Sequence, residues 1–500
     1  MQDLILGIDI GTTGTKCTIY AFDGSIAATA YQEYPMIHPN PGWAEQDPER
    51  WWQAVKDNLQ ACFKRKEIDN NRIAVIGISC TNAVVIVDEK GNPLYNAIGL
   101  HDQRATEQVE WLEEHVGSER IGKSSANRLA KGSFALPTLR WLIDNRPELI
   151  AKCRNFLLPS GYIIQKLTGE FSINRPRMDL TLLSDIYHGE WDMEIVRLAQ
   201  IPERILPKGY ASTQIVGEVT EMAAKLTGLR KGTPITAGSI DTVAATIGAG
   251  AVNQGDFALT VGSSGRICYI SDKPIDDRRL LNIHSAYEEQ YVIVQSTDNA
   301  GISLRWYRDV FGKALIQQAE AEGKKIYEYI DEIAENAGVG AGGIIYLPYL
   351  SGEKSPIWNP YARGVFFNIG LNSDLGCFAR AVLEGVAYSI KDCQNLVIKE
   401  TNKQDYIPIG GGIANSRFWC QIFADVLGCP ILQLKSNETE TLGDMIIAAQ
   451  AVNIKEIPYD FGKTMAKSGT MLYPNPANAA FYQERYIKYK KIYNNLIDCF

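Results

Sequence analysis

The chain has 500 residues, of which 45% are hydrophobic and 22% are charged, and it carries a formal net charge of −8 at pH 7. This composition is typical of a globular protein, and the length is more than one hydrophobic core usually serves, which predicts two domains. The acidic balance excludes partners that need a broad basic surface, such as nucleic acid or an anionic membrane.

The first predicted element is a β-hairpin with a polar turn. Leu4 to Ile10 and Lys16 to Phe22 are rich in β-prone residues, and residues 11–14 between them read Gly-Thr-Thr-Gly. The turn offers backbone N–H groups and threonine hydroxyls beside Lys16, which suits a polyphosphate. Asp9, at the end of the first strand, would hold Mg²⁺ through water. The alternative is a plain glycine-rich hairpin with a solvated aspartate.

Strands and helices alternate after the hairpin. Residues 72–80 and 83–88 are predicted to be strands, while residues 47–64 and 137–145 show the apolar spacing of amphipathic helices. The same alternation continues in the second half of the chain. Both halves are therefore predicted to be of the α/β class.

Asp241 stands at a predicted junction between a strand and a helix. An apolar strand at residues 233–237 leads through Gly238-Ser-Ile to Asp241, and a run of small residues follows. A carboxylate in this position can orient an attacking hydroxyl and accept its proton, which phosphoryl transfer requires. Asp is also a preferred N-cap of helices, so capping without catalysis is the alternative.

A domain boundary is predicted at the small-residue run of residues 245–255. Glycine and alanine there either absorb a hinge rotation or allow a helix to pack closely on a sheet, and both interpretations stay open. Beyond it, predicted strands at residues 257–261 and 266–270 flank Gly262-Ser-Ser-Gly265. This repeats the plan of the opening hairpin and indicates an internal duplication.

Two later segments have the composition of functional loops. Residues 346–367 are dense in Pro, Gly, Tyr and Trp without periodicity, which is typical of an ordered loop that serves a site or a contact. Gly410-Gly-Gly-Ile-Ala-Asn415 lies between a predicted strand and the amphipathic helix 417–427. Its glycines let a ligand approach the backbone at a helix N-terminus, although a tight turn is an equally good interpretation.

In this order the motifs resemble those of the FGGY-type carbohydrate kinases, over essentially the whole chain. Further matches are residues 42–52, His101-Asp-Gln-Arg104 and residues 299–306. The resemblance implies an α/β, two-domain actin-like ATPase (ribonuclease H-like) fold with a central interdomain cleft. It also implies an N-terminal domain, residues 1–248, with the sugar site and the catalytic base, and a C-terminal nucleotide-binding domain, residues 249–500.

The resemblance assigns roles to individual residues. Asp241 would be the catalytic base, and Asp9 the carboxylate on the magnesium side. The residues expected to bind ATP are Gly11, Thr12, Thr13, Lys16, Gly262, Ser263, Ser264, Gly301, Gly411 and Asn415. Those expected to bind the acceptor are Asn82, Asp102, Arg104 and Asp241, and a surface ion pair is the alternative for Asp102 with Arg104.

The resemblance also bears on the acceptor. Xylulose kinases usually carry Gln-Met-His-Gly where this chain has Cys80-Thr-Asn-Ala83, which argues against a standard xylulose pocket. Residues 301–309 and 348–359 look closer to gluconate kinases than to glycerol kinases. The predicted reaction is ATP-dependent phosphorylation of gluconate to 6-phosphogluconate, with D-xylulose to D-xylulose 5-phosphate as the alternative. A sugar acid needs a basic partner, for which Arg104, Arg175 and Arg177 are candidates. A non-catalytic actin-like ATPase scaffold is the alternative from another class.

The cysteines, the first residues and the apolar stretches of the chain bear on its cellular location. The ten cysteines are scattered without a Cys-x-x-Cys pair, which predicts reduced thiols in the cytoplasm. The first residues lack the sections of a signal peptide, and no apolar stretch is long enough to span a bilayer. The predicted partners are therefore ATP, Mg²⁺ and a small sugar or sugar acid, without nucleic acid or membrane, and a homodimer stays open.

Overall fold

The computed structural model describes residues 3–65, 68–132, 134–397, 405–436 and 438–500. Residues up to 252 form strands β1 (Leu4–Ile10), β2 (Gly14–Ala21), β3 (Ile26–Glu33), β4 (Glu45–Gln46), β5 (Ile73–Cys80), β6 (Ala83–Val87), β7 (Ala97–Gly99), β8 (Asn155–Leu157), β9 (Ser172–Asn174), β10 (Ser184–Asp185), β11 (Glu190–Trp191), β12 (Lys208–Tyr210), β13 (Ile215–Glu218), β14 (Pro234–Thr236) and β15 (Ser239–Ile240). Their helices are α1 (Pro48–Phe63), α2 (Thr106–His115), α3 (Ser118–Ser125), α4 (Ala135–Asn145), α5 (Pro147–Lys152), α6 (Pro159–Thr168), α7 (Arg175–Asp179), α8 (Met193–Leu198), α9 (Glu221–Thr227) and α10 (Asp241–Gly248).

The remaining residues continue the alternation of strands and helices. Their strands are β16 (Phe257–Val261), β17 (Gly265–Ser271), β18 (Leu281–His284), β19 (Tyr291–Thr297), β20 (Ile345–Leu347), β21 (Val365–Phe367), β22 (Ile407–Gly410), β23 (Ile431–Gln433) and β24 (Thr470–Leu472). Their helices are α11 (Gly301–Ala321), α12 (Ile326–Asn336), α13 (Leu375–Gln394), α14 (Arg417–Leu427), α15 (Thr439–Ala451), α16 (Phe461–Ala466) and α17 (Pro476–Leu496).

The chain forms two compact units, each built from separate segments. The first unit comprises Met1–Val252, Ser271–Ile293 and Glu438–Met465. The second comprises Asn253–Ile270, Val294–Asn437 and Ala466–Phe500. The division expected at residues 248 and 249 is linear, whereas the chain returns twice to the first unit. The main reason is α15, which packs on strands β1 and β5.

The first unit is organised around a central sheet with the strand order β13-β14-β5-β1-β2-β3, and β15 also pairs with β5. Strand β1 runs antiparallel to β2 and parallel to β5. In this register Asp9 lies opposite Lys16 on one side and opposite Ser79 on the other. Three polar residues therefore stand side by side near the carboxyl ends of β1 and β5.

The core of the first unit explains why these strands form where they do. Leu6, Ile8, Ile76 and Ile78 are fully buried, and α1 contributes Trp51 and other apolar residues to the same core. Strands that are buried on both faces have nearly continuous apolar sequences, as β1 and β5 do. Helix α1 begins where Asp47 accepts a hydrogen bond from Glu49 N at 3.0 Å, with a proline at its first position.

Helices α10 and α15 are in contact through their backbones. A Cβ atom added at Gly248 would lie 2.0 Å from the carbonyl oxygen of Thr439, and one added at Gly443 would lie 1.9 Å from that of Ala244. Only glycine allows so close an approach. The small residues before the predicted boundary therefore serve close packing, against a helix rather than a sheet.

The second unit repeats the plan of the first. Its strands β17, β16, β22, β23 and β24 lie side by side in that order. β16 pairs antiparallel with β17 and parallel with β22, as β1 does with β2 and β5. At its end, α17 buries Tyr482, Tyr486, Tyr489 and Tyr493, which recur at steps of three and four residues and so lie on one face of the helix. In the described ranges, no helix has the length and apolar character needed to cross a membrane.

Candidate active site

The turn of the first hairpin is fixed by hydrogen bonds to its carbonyl groups. Gly11 N donates to Gly14 O at 2.9 Å, Tyr34 Oη donates to Gly11 O at 2.7 Å, and Gln46 Nε2 donates to Thr12 O at 2.8 Å. Among the described residues, none accepts a hydrogen bond from the backbone N–H of Thr12 or Thr13. The turn therefore presents backbone donors, as a phosphate-binding turn must.

Lys16 makes an ion pair within the first unit. Its Nζ lies 3.1 Å from Glu438 Oε1 and 3.0 Å from Glu438 Oε2, and both side chains are partly exposed. A phosphate group at Lys16 would therefore compete with a carboxylate for the same ammonium. The role of Lys16 in ATP binding stays a prediction.

Carboxylates gather at the ends of β1 and β5. Ser79 Oγ lies 3.2 Å from Asp9 Oδ1 and 2.9 Å from Asp444 Oδ2. Burial raises the pKa of Asp9 well above its usual value, and the charges of Glu440 and Asp241 raise it further. Burial, followed by the charge of Asp9, also raises the pKa of Asp444, and burial with the charge of Asp241 raises that of Glu440.

This cluster has the chemistry of a site for a hydrated magnesium ion. Its carboxylates repel one another, and Asp444 Oδ1 is buried without a hydrogen-bond partner. Carboxylate oxygens are the ligands that Mg²⁺ prefers, and magnesium keeps much of its water shell. In the described part of the chain, no three His, Cys, Asp or Glu side chains are close enough to hold a metal together. A magnesium ion here would therefore rely on water for most of its ligands.

Asp241 is the first residue of α10. Its Oδ1 accepts hydrogen bonds from Thr242 N at 2.6 Å and from Thr242 Oγ1 at 3.0 Å. The N-cap position belongs to Ile240, whose side chain makes no cap. Asp241 therefore does not occupy the capping position that is the alternative to catalysis. Its carboxylate is half-buried, and its charge acts on both Asp9 and Glu440.

Asp102 and Arg104 form a buried ion pair rather than one at the surface. Arg104 Nη2 lies 2.8 Å from Asp102 Oδ2 and 2.7 Å from Glu45 Oε1, and the Arg104 side chain is 1% exposed. Asp102 also accepts from Ala44 N at 2.6 Å, and the guanidinium lies 3.7 Å from the ring centroid of Trp43. These contacts give both residues a role in holding the loop structure, and their contact with an acceptor stays a prediction.

Asn82 lies in the short turn between β5 and β6, two residues beyond the end of β5, and is buried. The neighbouring Thr81 Oγ1 lies 2.9 Å from Thr12 Oγ1. The turn that carries Asn82 therefore contacts the turn of the first hairpin. The structure brings Asn82 to the same end of the sheet as Asp9, and its contact with an acceptor stays a prediction.

In the second unit, the predicted nucleotide-binding residues gather at the ends of β16 and β22. Gly262 N donates to Ser264 O at 2.9 Å, and Gly301 N donates to Gly262 O at 2.9 Å. A Cβ at Gly411 would lie 2.7 Å from Val261 O. The turn of residues 262–264, the start of α11 and Gly411 are thus in contact, and Asn415 closes the 3₁₀ turn that follows Gly411.

The loop of residues 346–367 supports this site from one side. Its Glu353 accepts hydrogen bonds from Thr297 Oγ1 at 2.5 Å and from Asp298 N at 2.8 Å. Asn299 Nδ2 donates to Gly352 O at 2.7 Å. The loop therefore holds the segment between β19 and α11, which leads to Gly301. Burial raises the pKa of Glu353 to about 7.

Glu438, Glu440 and Asp444 belong to this site but were not predicted from the sequence motifs. They come from the start of α15, nearly two hundred residues after the rest of the first-unit site. One signal was present: residues 439–451 are mostly apolar and small, and Glu440 and Asp444 lie one helical turn apart in them. Acidic residues in a buried helix are rare unless they serve a purpose.

Comparisons with known proteins identify the family of the chain. The FGGY family of carbohydrate kinases matches through its N-terminal domain at residues 4–248 and through its C-terminal domain at residues 257–452. Gluconokinase of Bacillus subtilis (strain 168) is 30% identical over 457 residues, covering 90% of this chain and 88% of that protein. Xylulose kinase of Staphylococcus epidermidis is 29% identical over 496 residues, covering 99% of this chain and 97% of that protein.

A solved structure gives the same result. The ligand-bound xylulose kinase from Lactobacillus acidophilus superposes with a TM-score of 0.90 at 27% identity, covering 99% of this chain and 98% of that one. The α/β, two-domain actin-like ATPase fold predicted from the sequence is confirmed. Family models cover most of the chain and its relatives are kinases. The chain therefore belongs to the FGGY family of carbohydrate kinases and is an ATP-using sugar kinase.

Proposed function

We propose that this kinase transfers the γ-phosphate of ATP to gluconate and forms 6-phosphogluconate, with Asp241 as the base. The observation that carries the proposal is the position of Asp241, half-buried at the start of α10 and within electrostatic reach of Asp9 and Glu440. The gluconokinase relative supports gluconate. D-xylulose, phosphorylated to D-xylulose 5-phosphate, is the second candidate, because the xylulose kinase relative matches over 99% of the chain.

Under this proposal, each of the site residues has a defined role. Asp241 accepts the proton of the attacking hydroxyl, whose oxygen forms a bond to the γ-phosphorus while the bond to the ADP oxygen breaks. Hydrogen bonds from Thr242 fix the orientation of the carboxylate. The proposed contacts to ATP are Gly11, Thr12, Thr13 and Lys16 from the first unit and Gly262, Ser263, Ser264, Gly301, Gly411 and Asn415 from the second.

Asp9 would hold a hydrated Mg²⁺ ion through water, with Glu440 and Asp444 adding negative charge nearby, and the bound ion would neutralise charge on the phosphates. Asn82 is the proposed acceptor contact beside Asp241. We place the enzyme in the cytoplasm, and the state of the cysteines supports this. Eight of the ten cysteines are buried thiols in the described part of the chain.

Substitution of Asp241 tests the proposal. Asp241→Asn keeps the shape of the side chain but removes the base, so we expect gluconate-dependent ADP release to fall by a factor on the order of 10²–10⁴. Binding of ATP, measured by calorimetry, should be unchanged. Asp23→Asn is the matched control, because Asp23 is an exposed turn residue that hydrogen-bonds Ser25.

Two outcomes would contradict the proposal. Turnover of Asp241→Asn within a few-fold of wild type removes Asp241 from the mechanism. ATP hydrolysis that no acceptor stimulates, in a panel of gluconate, D-xylulose, ribulose and glycerol, supports the scaffold alternative. Stimulation by D-xylulose but not by gluconate selects the second candidate.

A further inference from the structure

The side chain of Arg177 is buried without an anionic partner. Arg177 lies in α7 and is 2% exposed. Its Nε and Nη2 are buried and have no hydrogen-bond acceptor. Within the described ranges its guanidinium makes no ion pair either. A guanidinium stays charged at any pH that a protein survives, so a buried one without a partner is costly. Such a group is expected where a ligand supplies the missing anion.

The two unpaired nitrogens form one edge of the guanidinium, and this edge matches a carboxylate. Elsewhere in the first unit the same edge binds carboxylates with two parallel hydrogen bonds. Arg72 Nε and Nη2 lie 2.7 and 2.8 Å from the two oxygens of Asp3. Arg104 Nε and Nη2 both lie 2.8 Å from the oxygens of Asp102. Paired donors of this geometry favour a carboxylate over a single hydroxyl.

Helix α7 is attached to the segment that leads to Asp241. Asn174 Oδ1 accepts from Arg177 N at 3.0 Å, while Asn174 Nδ2 donates to Ala237 O at 3.1 Å. Helix α7 also packs on β15, the strand that ends one residue before Asp241. One asparagine thus fixes the backbone of Arg177 relative to the segment that leads to the base.

A shared neighbour supports this placement. Cys80 is the last residue of β5, two residues before Asn82. Burial raises the pKa of the Cys80 thiol, the charge of Arg177 lowers it, and the charge of Asp241 raises it. Both charged groups are therefore within electrostatic reach of the same thiol. Arg177 lies on the side of the sheet where Asp241 and Asn82 meet the acceptor in the proposed function.

The other two candidate arginines, Arg104 and Arg175, are less suited to binding a carboxylate. Arg104 already pairs with Asp102 and Glu45. Arg175 is only half-buried and lines a separate cavity of about 260 Å³ with Tyr187 and His284, where water can satisfy it. Of the three arginine candidates, only Arg177 combines deep burial with an unpaired carboxylate-binding edge.

We infer that Arg177 binds the carboxylate of the acceptor and makes this enzyme selective for sugar acids over neutral sugars. The inference rests on the proposed function, because it concerns the acceptor site beside Asp241. It names a specificity-determining residue that touches the substrate away from the reacting hydroxyl.

A comparison of matched acceptors tests the inference. D-Glucitol is gluconate with a neutral CH₂OH in place of the carboxylate, so the pair isolates the charge. We expect wild type to prefer gluconate in kcat/KM. Arg177→Gln should lose roughly 30-fold to 10³-fold in kcat/KM for gluconate, the loss typical of a buried charge pair without one partner. The kcat/KM of Arg177→Gln for D-glucitol should stay within a few-fold of wild type. The kcat/KM of Arg177→Lys for gluconate should lie between the values of wild type and Arg177→Gln.

A binding measurement gives a second readout that does not depend on turnover. Gluconate should raise the melting temperature of wild type and of Arg175→Gln, the matched control, but not that of Arg177→Gln. The melting temperature of Arg177→Gln without ligand should equal or exceed that of wild type, because an unpaired buried charge has been removed.

Three results would overturn the inference. The first is an equal loss of activity on gluconate and D-glucitol in Arg177→Gln. The second is an unchanged response of that variant to gluconate. The third is a wild-type enzyme that phosphorylates D-xylulose but no sugar acid, which leaves the kinase proposal intact. The proposed function itself fails separately, if no acceptor in the panel stimulates ADP release or if Asp241→Asn retains full turnover.

Discussion

The contact between α10 and α15 allows a quantitative prediction for Gly443→Ala. The new Cβ would lie 1.9 Å from Ala244 O, whereas ordinary contacts begin at 3.4 Å, so the two helices must separate by about 1.5 Å (3.4 − 1.9). Overpacking of this kind costs about 1–3 kcal/mol. Alanine recovers up to about 1 kcal/mol through its higher helix propensity. We therefore expect a net loss of about 1–2 kcal/mol in the free energy of unfolding.

Thermal unfolding of two glycine variants checks this value. For a unit this large, with an unfolding entropy of about 2.1 cal/mol/K per residue, the loss corresponds to a fall of roughly 1.5–3 °C in melting temperature. Gly312→Ala is the matched control, since Gly312 also lies inside a helix but its nearest neighbours are side-chain atoms at 3.7 and 3.8 Å. That variant should be as stable as wild type or more stable. If Gly443→Ala behaves like Gly312→Ala, the backbone contact is not tight and the reasoning is refuted.

Two further predictions concern buried charged groups. Burial raises the pKa of Glu353 from 4.5 to about 7, so the folded state keeps a proton that the unfolded state loses, and stability falls as pH rises from about 4.5 to 7. Glu353→Gln should remove this dependence of stability on pH, which amounts to about 3 kcal/mol between pH 4.5 and 7, while keeping the contact with Thr297. If urea titrations of the variant across this pH range show the same dependence as wild type, another group is responsible. Arg104→Ala leaves Asp102 and Glu45 buried without a counter-charge and should cost about 3–5 kcal/mol in urea unfolding. Normal stability of Arg104→Ala combined with a raised KM for gluconate would instead assign Arg104 to the acceptor.

Local patterns in the sequence predicted most elements of the first unit. The predicted helix 47–64 is α1, which begins after the N-cap Asp47 and ends at Phe63. The predicted strand 72–80 is β5 to within one residue. Strand β2 begins at Gly14, two residues before the expected Lys16, because the glycine itself pairs with β3. These elements can be predicted from the sequence because the residues that set their caps, turns and apolar periodicity lie within a few positions of one another.

Contacts between segments that are distant in the chain could not be predicted from local sequence patterns. The ion pair of Arg104 with Asp102 is local, but its burial depends on Glu45 and Trp43, which no short-range pattern connects to it. The expected linear division of the chain likewise misses the return of residues 438–465 to the first unit. Such features depend on tertiary packing, which a single sequence without neighbours in space does not reveal.

The return of α15 also explains how the carboxylate cluster is built. Asp9 and Ser79 are placed by the register of two adjacent strands, which form from local sequence. Asp444 reaches Ser79 only because α15 packs on those strands, and it does so next to Gly443, where the helix touches α10. Helix α10 in turn begins at Asp241. Close contacts at Gly248 and Gly443 therefore connect the helix of the proposed base to the helix of Glu440 and Asp444. Folding of the late segment into the first unit is thus a condition for assembling the site, and Gly443→Ala should lower the rate of acceptor-dependent ADP release as well as the melting temperature.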